Sequence, residues 1–229
     1  MTDVQRRADT DRFYGLLETL AARTRLPRLR ECSAADSWPA HGVYFFFEDG
    51  ETRTEGNRPR VVRVGTHALT ERSRTQLWTR LRQHRGNVGG TNPGGGNHRG
   101  SIFRLHVGTA LLNSGEWPAV VRAGWRLPRA GAEVRLAQHE LERAVSDHIG
   151  AMRLLCLPAP EREQRRAIES NAIALLSLIR GGVDPPSPRW LGRHAESLAV
   201  RTSGLWNVQH VDGRYDRAFL DLLGDLVEG

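Results

Sequence analysis

Gly42-Val43-Tyr44-Phe45-Phe46-Phe47, followed after a polar connection by Arg60-Val61-Val62-Arg63-Val64-Gly65, decides the fold. Both runs are short and rich in β-branched or aromatic residues. Gly42 and Asp49-Gly50 bound the first, and Gly56-Asn57 lie between the two. That composition predicts two strands joined through an exposed tip. Side chains alternate along a strand, so Tyr44 and Phe46 fall on one face and Val43, Phe45 and Phe47 on the other.

Outward from this hairpin, residues 11–30 carry Phe13, Leu16, Leu17, Leu20 and Ala21 at helical spacing and predict an amphipathic packing helix. Residues 70–85 predict another, with Leu77 and Leu81 inward and Gly86 as its stop. Residues 86–100 are rich in Gly and Asn, and read as a mobile loop carrying His98 and Arg99. A helix is expected over 102–113, irregular chain over 117–129, a helix over 134–148, and a third strand over 152–157 ending at Pro158. Residues 161–179 give the clearest helix, with Pro160 at its start, acidic residues in its first turn and Gly181-Gly182 after it. A Pro-rich linker at 184–188 and a last helix over 215–227 follow. The fold class expected is α/β of the α+β kind, a small, mostly antiparallel sheet opened by the hairpin and flanked by helices. Residues 1–40 read as a helical extension, 41–180 as the core with an insertion at about 86–150, and 181–229 as a C-terminal extension packed on it.

At 229 residues the chain suits one main domain. A formal charge of +7 and a pI near 10.7 favour a polyanionic partner, although a basic proteome would give the same balance. Lysine is absent, so all 33 basic residues are arginine. This excludes a Walker-type phosphate loop and a Schiff-base mechanism, since both need an amine. Cys32 and Cys156 are far apart in sequence and form no CxxC pair, which indicates neither a disulfide framework nor a zinc site. The polar start of the chain and the lack of any long apolar run lead us to expect a cytoplasmic protein with no membrane partner.

Chemistry enters through residues arranged in a fixed order. Phosphodiester hydrolysis needs a proton acceptor near water, a cation on the phosphate and a carboxylate for a divalent metal. Tyr44, Arg80 and Glu169 are candidates for these roles. Arg80 and His84 stand at i and i+4, hence on one helix face. Glu169 shares a helix side with Ala172, Ile173 and Leu176, where a carboxylate wants a partner. Each has a plainer alternative: Tyr44 as a strand aromatic beside Phe46, Arg80 and His84 on a solvated basic face with Arg74, Arg82 and Arg85, and Glu169 in a buried pair with an arginine.

Taken in order, Gly42-Val43-Tyr44, Arg63-Val64-Gly65, Arg80 with His84, and Glu169 resemble the GIY-YIG nuclease superfamily. The resemblance covers residues 42–85 and 152–179 and treats the segment between as inserted. It implies a metal-dependent DNA endonuclease in which Tyr44 is the base or positions water, Arg80 clamps the scissile phosphate, His84 assists, and Glu169 holds Mg²⁺ or Mn²⁺. Arg63 stands where the family usually has tyrosine; it contacts phosphate or is an ordinary strand residue. An asparagine often completes such a site, and Asn207 is preferred over Asn171. His67 either reaches the site or caps a loop. With DNA as partner, the expected contacts are Arg63, Arg80, Arg85, His98, Arg99 and Arg104, and a homodimer is one way to cut both strands. Rival readings are an inactive nucleic-acid-binding module of the same fold and a structural or interaction domain.

Overall fold

The computed structural model describes residues 2–70, 73, 75–86 and 95–229. In chain order its elements are α1 (Asp3–Arg23), β1 (Gly42–Thr52), β2 (Pro59–Thr66), α2 (Leu77–Arg85), α3 (Ile102–Ser114), α4 (Ala119–Trp125), α5 (Ala132–Ala137), α6 (His139–Ala151), β3 (Arg153–Pro158), α7 (Arg162–Leu176), α8 (Leu198–Ser203) and α9 (Phe219–Glu228). The three strands form one antiparallel sheet in the order β2-β1-β3. It is the small hairpin-led sheet expected from the sequence.

The alternation along β1 sorts the core into two layers. Val43, Phe45 and Phe47 pack with Phe13, Leu17, Ile168, Leu175, Phe219 and Leu223, so α1, α7 and α9 cover that face. Tyr44 and Phe46 pack with Leu77, Leu81, Phe103, Val107, Val145 and Ile149, so α2, α3 and α6 cover the other. The segment expected to be an insertion therefore supplies most of a helical layer, and the two terminal segments supply much of the opposite one. Between Phe46 and Phe47 the register with β2 slips from Arg63 to Val61, which leaves Val62 as an extra residue in that strand. Because of this bulge, Val61 and Val64 join one layer while Val62 joins the other.

Several helix boundaries differ from the sequence expectation, each for a visible reason. α1 begins at Asp3, eight residues before the expected start, with the Thr2 side chain accepting from the Gln5 amide as N-cap. Its early turns look polar, yet Arg6, Asp9 and Thr10 are buried. Arg6 donates to the carbonyls of Ala174 and Leu175 at 3.1 and 2.6 Å, and Asp9 accepts from the Tyr215 hydroxyl at 2.8 Å. α2 starts only at Leu77, and residues 71, 72 and 74 of the helix expected over 70–85 lie outside the described residues. The helix expected over 134–148 is two, α5 and α6, which meet at Gln138. Residues 119–125 of the stretch read as irregular form α4. α7 ends at Leu176, and α9 begins at Phe219. Of the loop read over 86–100, residues 87–94 lie outside the described residues, and His98–Gly100 form a 3-10 turn.

Candidate active site

Two glycines permit the strand spacing on which the site depends. A Cβ on Gly42 would sit 2.5 Å from the Leu157 carbonyl oxygen, so only glycine lets β1 lie this close to β3 there. Gly65 pairs with Tyr44 across the hairpin, and a Cβ on it would fall 2.4 Å from both Cζ and the hydroxyl of Tyr44. The phenol ring thus lies flat over Gly65, pointing toward α2.

There its hydroxyl meets Nε2 of His84 at 2.8 Å, while Nδ1 of His84 lies 2.8 Å from Oγ of Ser101. Ser101 is also the N-cap of α3 and accepts the Arg104 amide at 3.3 Å. Tyr44 is 1% exposed and His84 fully buried. Burial first, then the charges of Arg63, Arg80 and Arg104, hold the His84 pKa well below its ordinary 6.5. His84 is therefore a neutral imidazole with one N–H and one lone pair.

Arg63 faces Phe46 across the hairpin, on the same side as Gly65 and Tyr44. Its guanidinium donates to the Trp206 carbonyl at 2.6 Å and stacks over the Phe103 ring at 4.6 Å. Burial lowers its pKa, opposed by its closeness to Tyr44 and Glu169. Arg80 is half-buried and donates to Oε1 of Gln83 at 3.0 Å. Glu169, half-buried on α7, accepts the Thr66 amide on Oε1 at 3.2 Å. Burial raises its pKa above the usual 4.5, opposed by Arg63, the Thr66 N–H and Arg80. The charges of Arg63 and Arg80 act on both His84 and Glu169, and His84 is bonded to Tyr44, so the end of the hairpin, α2 and α7 bring these side chains near one another.

Oε2 of Glu169 takes no hydrogen bond among the described residues, which leaves an oxygen donor of the kind a hard cation prefers. Among those residues no group of three or more His, Cys, Asp or Glu gathers into a cage. The fit is thus to an ion held by one carboxylate, with water and substrate phosphate completing its shell.

Other expected site residues are placed elsewhere. Asn207 accepts the Val64 amide at 3.1 Å and donates to the Val64 carbonyl at 2.8 Å, so its side chain serves as a strand partner on the outer edge of β2. Asn171 is spent on the Ala167 carbonyl and the Asp216 amide. His67 meets the Ala40 carbonyl at 3.2 Å and stacks on His41, a loop-fixing role. Arg104 is wholly buried and paired with Glu142 at 2.5 Å, and His98 meets the same carboxylate at 2.7 Å while stacked on Trp125. Neither offers a surface to DNA. Arg99 donates to the carbonyls of Leu127 and Gly124 and to Gln138, and Arg85 donates to the Cys32 carbonyl. Ser101 is a site residue absent from the sequence expectation. Its signal was present, a serine directly before the apolar run of α3, but its position opposite His84 is a tertiary fact.

The fold is a hairpin-led α+β arrangement with a tyrosine, arginines and a glutamate near the hairpin end. The chain matches the family model for the GIY-YIG domain over residues 4–229, and it belongs to that family, a family of nucleases that act on DNA. The match includes both terminal segments, far beyond the motif-bearing residues from which the resemblance was drawn. No curated protein and no solved structure matches the chain. Among the described residues no helix is long and apolar enough to cross a membrane.

Proposed function

We propose that the protein is a metal-dependent DNA endonuclease hydrolysing phosphodiester bonds in one step. The observation that carries this reading is the buried Tyr44–His84 hydrogen bond, set beside a half-buried glutamate with one unused oxygen. We assign the His84 tautomer with its proton on Nδ1, so that Ser101 accepts from Nδ1–H and Tyr44 donates to Nε2. With its hydroxyl held by Nε2, Tyr44 Oη accepts a hydrogen bond from the attacking water and orients it, and the proton the water loses on attack leaves to solvent. Arg63, beside that hydroxyl, adds positive charge there. Arg80 supports the phosphate oxygens with its planar fork. Glu169 would hold a Mg²⁺ or Mn²⁺ ion, which would supply charge neutralisation at the leaving oxygen. Asn207 contributes by fixing β2, and through it the position of Gly65 and Arg63.

Arg63 in place of the family's usual tyrosine favours a second reading, an inactive DNA-binding module. One experiment separates the two. Supercoiled plasmid incubated with the protein and Mg²⁺ or Mn²⁺ should be nicked, and the Glu169→Gln variant should be at least about 100-fold slower, the scale of removing one electrostatic stabiliser from a site. No nicking by the parent with either metal overturns the endonuclease reading. With one such site per chain, cutting both strands calls for two copies.

A further inference from the structure

Beside the candidate active site, α2, the turn at residues 95–100 and the α5–α6 junction enclose a cleft of about 510 Å³. Its polar lining includes Arg82, Gln83, Asn97, Arg99, Arg135 and Gln138. Arg82 and Arg135 are exposed, and their guanidinium groups have no ion pair or hydrogen bond among the described residues. The one carboxylate in the lining, Glu142, is already consumed: Oε1 accepts from the His98 amide and lies against its ring, and Oε2 accepts from Arg104. Cations thus outnumber acids at the cleft, and Arg99 feels it, its pKa lowered by burial and then by the charge of Arg135, against the opposing charge of Glu142. Like charges gathered around a concave wall are unfavourable unless an anion occupies it.

We infer that this cleft is a second phosphate-binding site, which holds the DNA backbone to one side of the scissile bond. Placement supports a nucleic-acid strand over a detached anion. Gln83 lines the cleft and accepts from Arg80, so the two sites adjoin through one side chain. A strand whose scissile phosphate lies on Arg80 passes its neighbouring phosphates across Arg82 and Arg135. Such contacts set register on the duplex without reading its sequence. The inference rests on the DNA reading above, but not on catalysis.

The test is the salt dependence of binding to a fluorescent duplex, in EDTA so that nothing is cut. The Arg82→Gln/Arg135→Gln double variant should shallow the slope of log affinity against log salt by about 2, near 0.9 for each phosphate no longer neutralised. Neither side chain has a partner to lose among the described residues, so the melting temperature should match the parent's; Arg135→Glu gives an independent check and should weaken binding further. In the nicking assay the double variant should raise KM and spare kcat. A parent that binds and nicks, with slope and KM unchanged in the double variant, overturns the cleft. Binding that is lost equally to poly-glutamate competitor at equal charge also overturns it, by making the cleft a general polyanion trap. A parent that nicks nothing yet shows the slope difference overturns the endonuclease reading and leaves the cleft standing.

Discussion

One methyl group separates Gly65 from a side chain that would collide with the catalytic candidate. Gly65→Ala places a carbon 2.4 Å from the Tyr44 hydroxyl, closer than any van der Waals contact allows, so the ring or the strand must move. Overpacking of this kind costs about 1–3 kcal/mol. Displacing the hydroxyl by about 1 Å should lower nicking roughly 100-fold. Urea denaturation and nicking rates measured together check both. A variant as active as the parent would remove Tyr44 from the chemistry. At this scale the sequence was partly legible. Glu169 could be placed at an apolar helix side from spacing alone, and the structure finds it half-buried. Tyr44 depended on its family resemblance, because a strand tyrosine looks the same whether it packs or reacts. His98 and Arg104 were misread because a charged residue shows in sequence only its charge, and here both meet a buried glutamate more than thirty-five positions away, at |i−j| of 44 and 38.

At the scale of elements, β2 is held from outside by a short segment after α8. The Trp206 amide donates to the Val62 carbonyl at 2.8 Å and Asn207 then closes both polar groups of Val64. Asn207→Ala removes both side-chain bonds and should destabilise the protein by about 1–3 kcal/mol, the cost of leaving buried backbone groups unpaired. If the role is structural, nicking by the folded fraction stays near the parent's; a large fall in kcat with unchanged urea midpoint would instead make Asn207 catalytic. Nothing local announces this contact, since Asn207 and Val64 stand 143 positions apart. The strands themselves were readable because a period of two survives in a short run. The break at Gln138 was not, because no Gly or Pro marks it, and neither was the start of α1, whose buried face is built from Arg6, Asp9 and Thr10.

For the whole molecule, acid should be destabilising well before ordinary carboxylates titrate. Burial lowers the pKa of His67 and of His106 from 6.5 to about 4, and holds that of His84 well below 6.5. Each stays neutral in the folded state while the unfolded chain takes up a proton near pH 6.5. Their stabilisation is therefore complete above 6.5 and is lost as pH falls from there toward 4, at up to about 1.4 kcal/mol per pH unit for each histidine. Asp9, Glu48 and Glu142, whose pKa values are lowered, extend the loss to more acidic pH, and Glu169, raised, opposes it. The urea midpoint should fall steadily between pH 7 and 5, and a flat midpoint would mean that these histidines are hydrated in the folded state.

The strap of residues 206 and 207 along β2 has a counterpart on the other side of the sheet, where Leu154 donates to the Pro27 carbonyl and Leu29 to that of Met152. Bare strand edges are templates on which further chains add and fibrils begin. With the border of β2 occupied by backbone and one asparagine, and the start of β3 by residues 27–29, this three-stranded sheet has a shortened edge left to recruit another chain. Crowded copies of the protein therefore have less opportunity to seed aggregation through this small sheet.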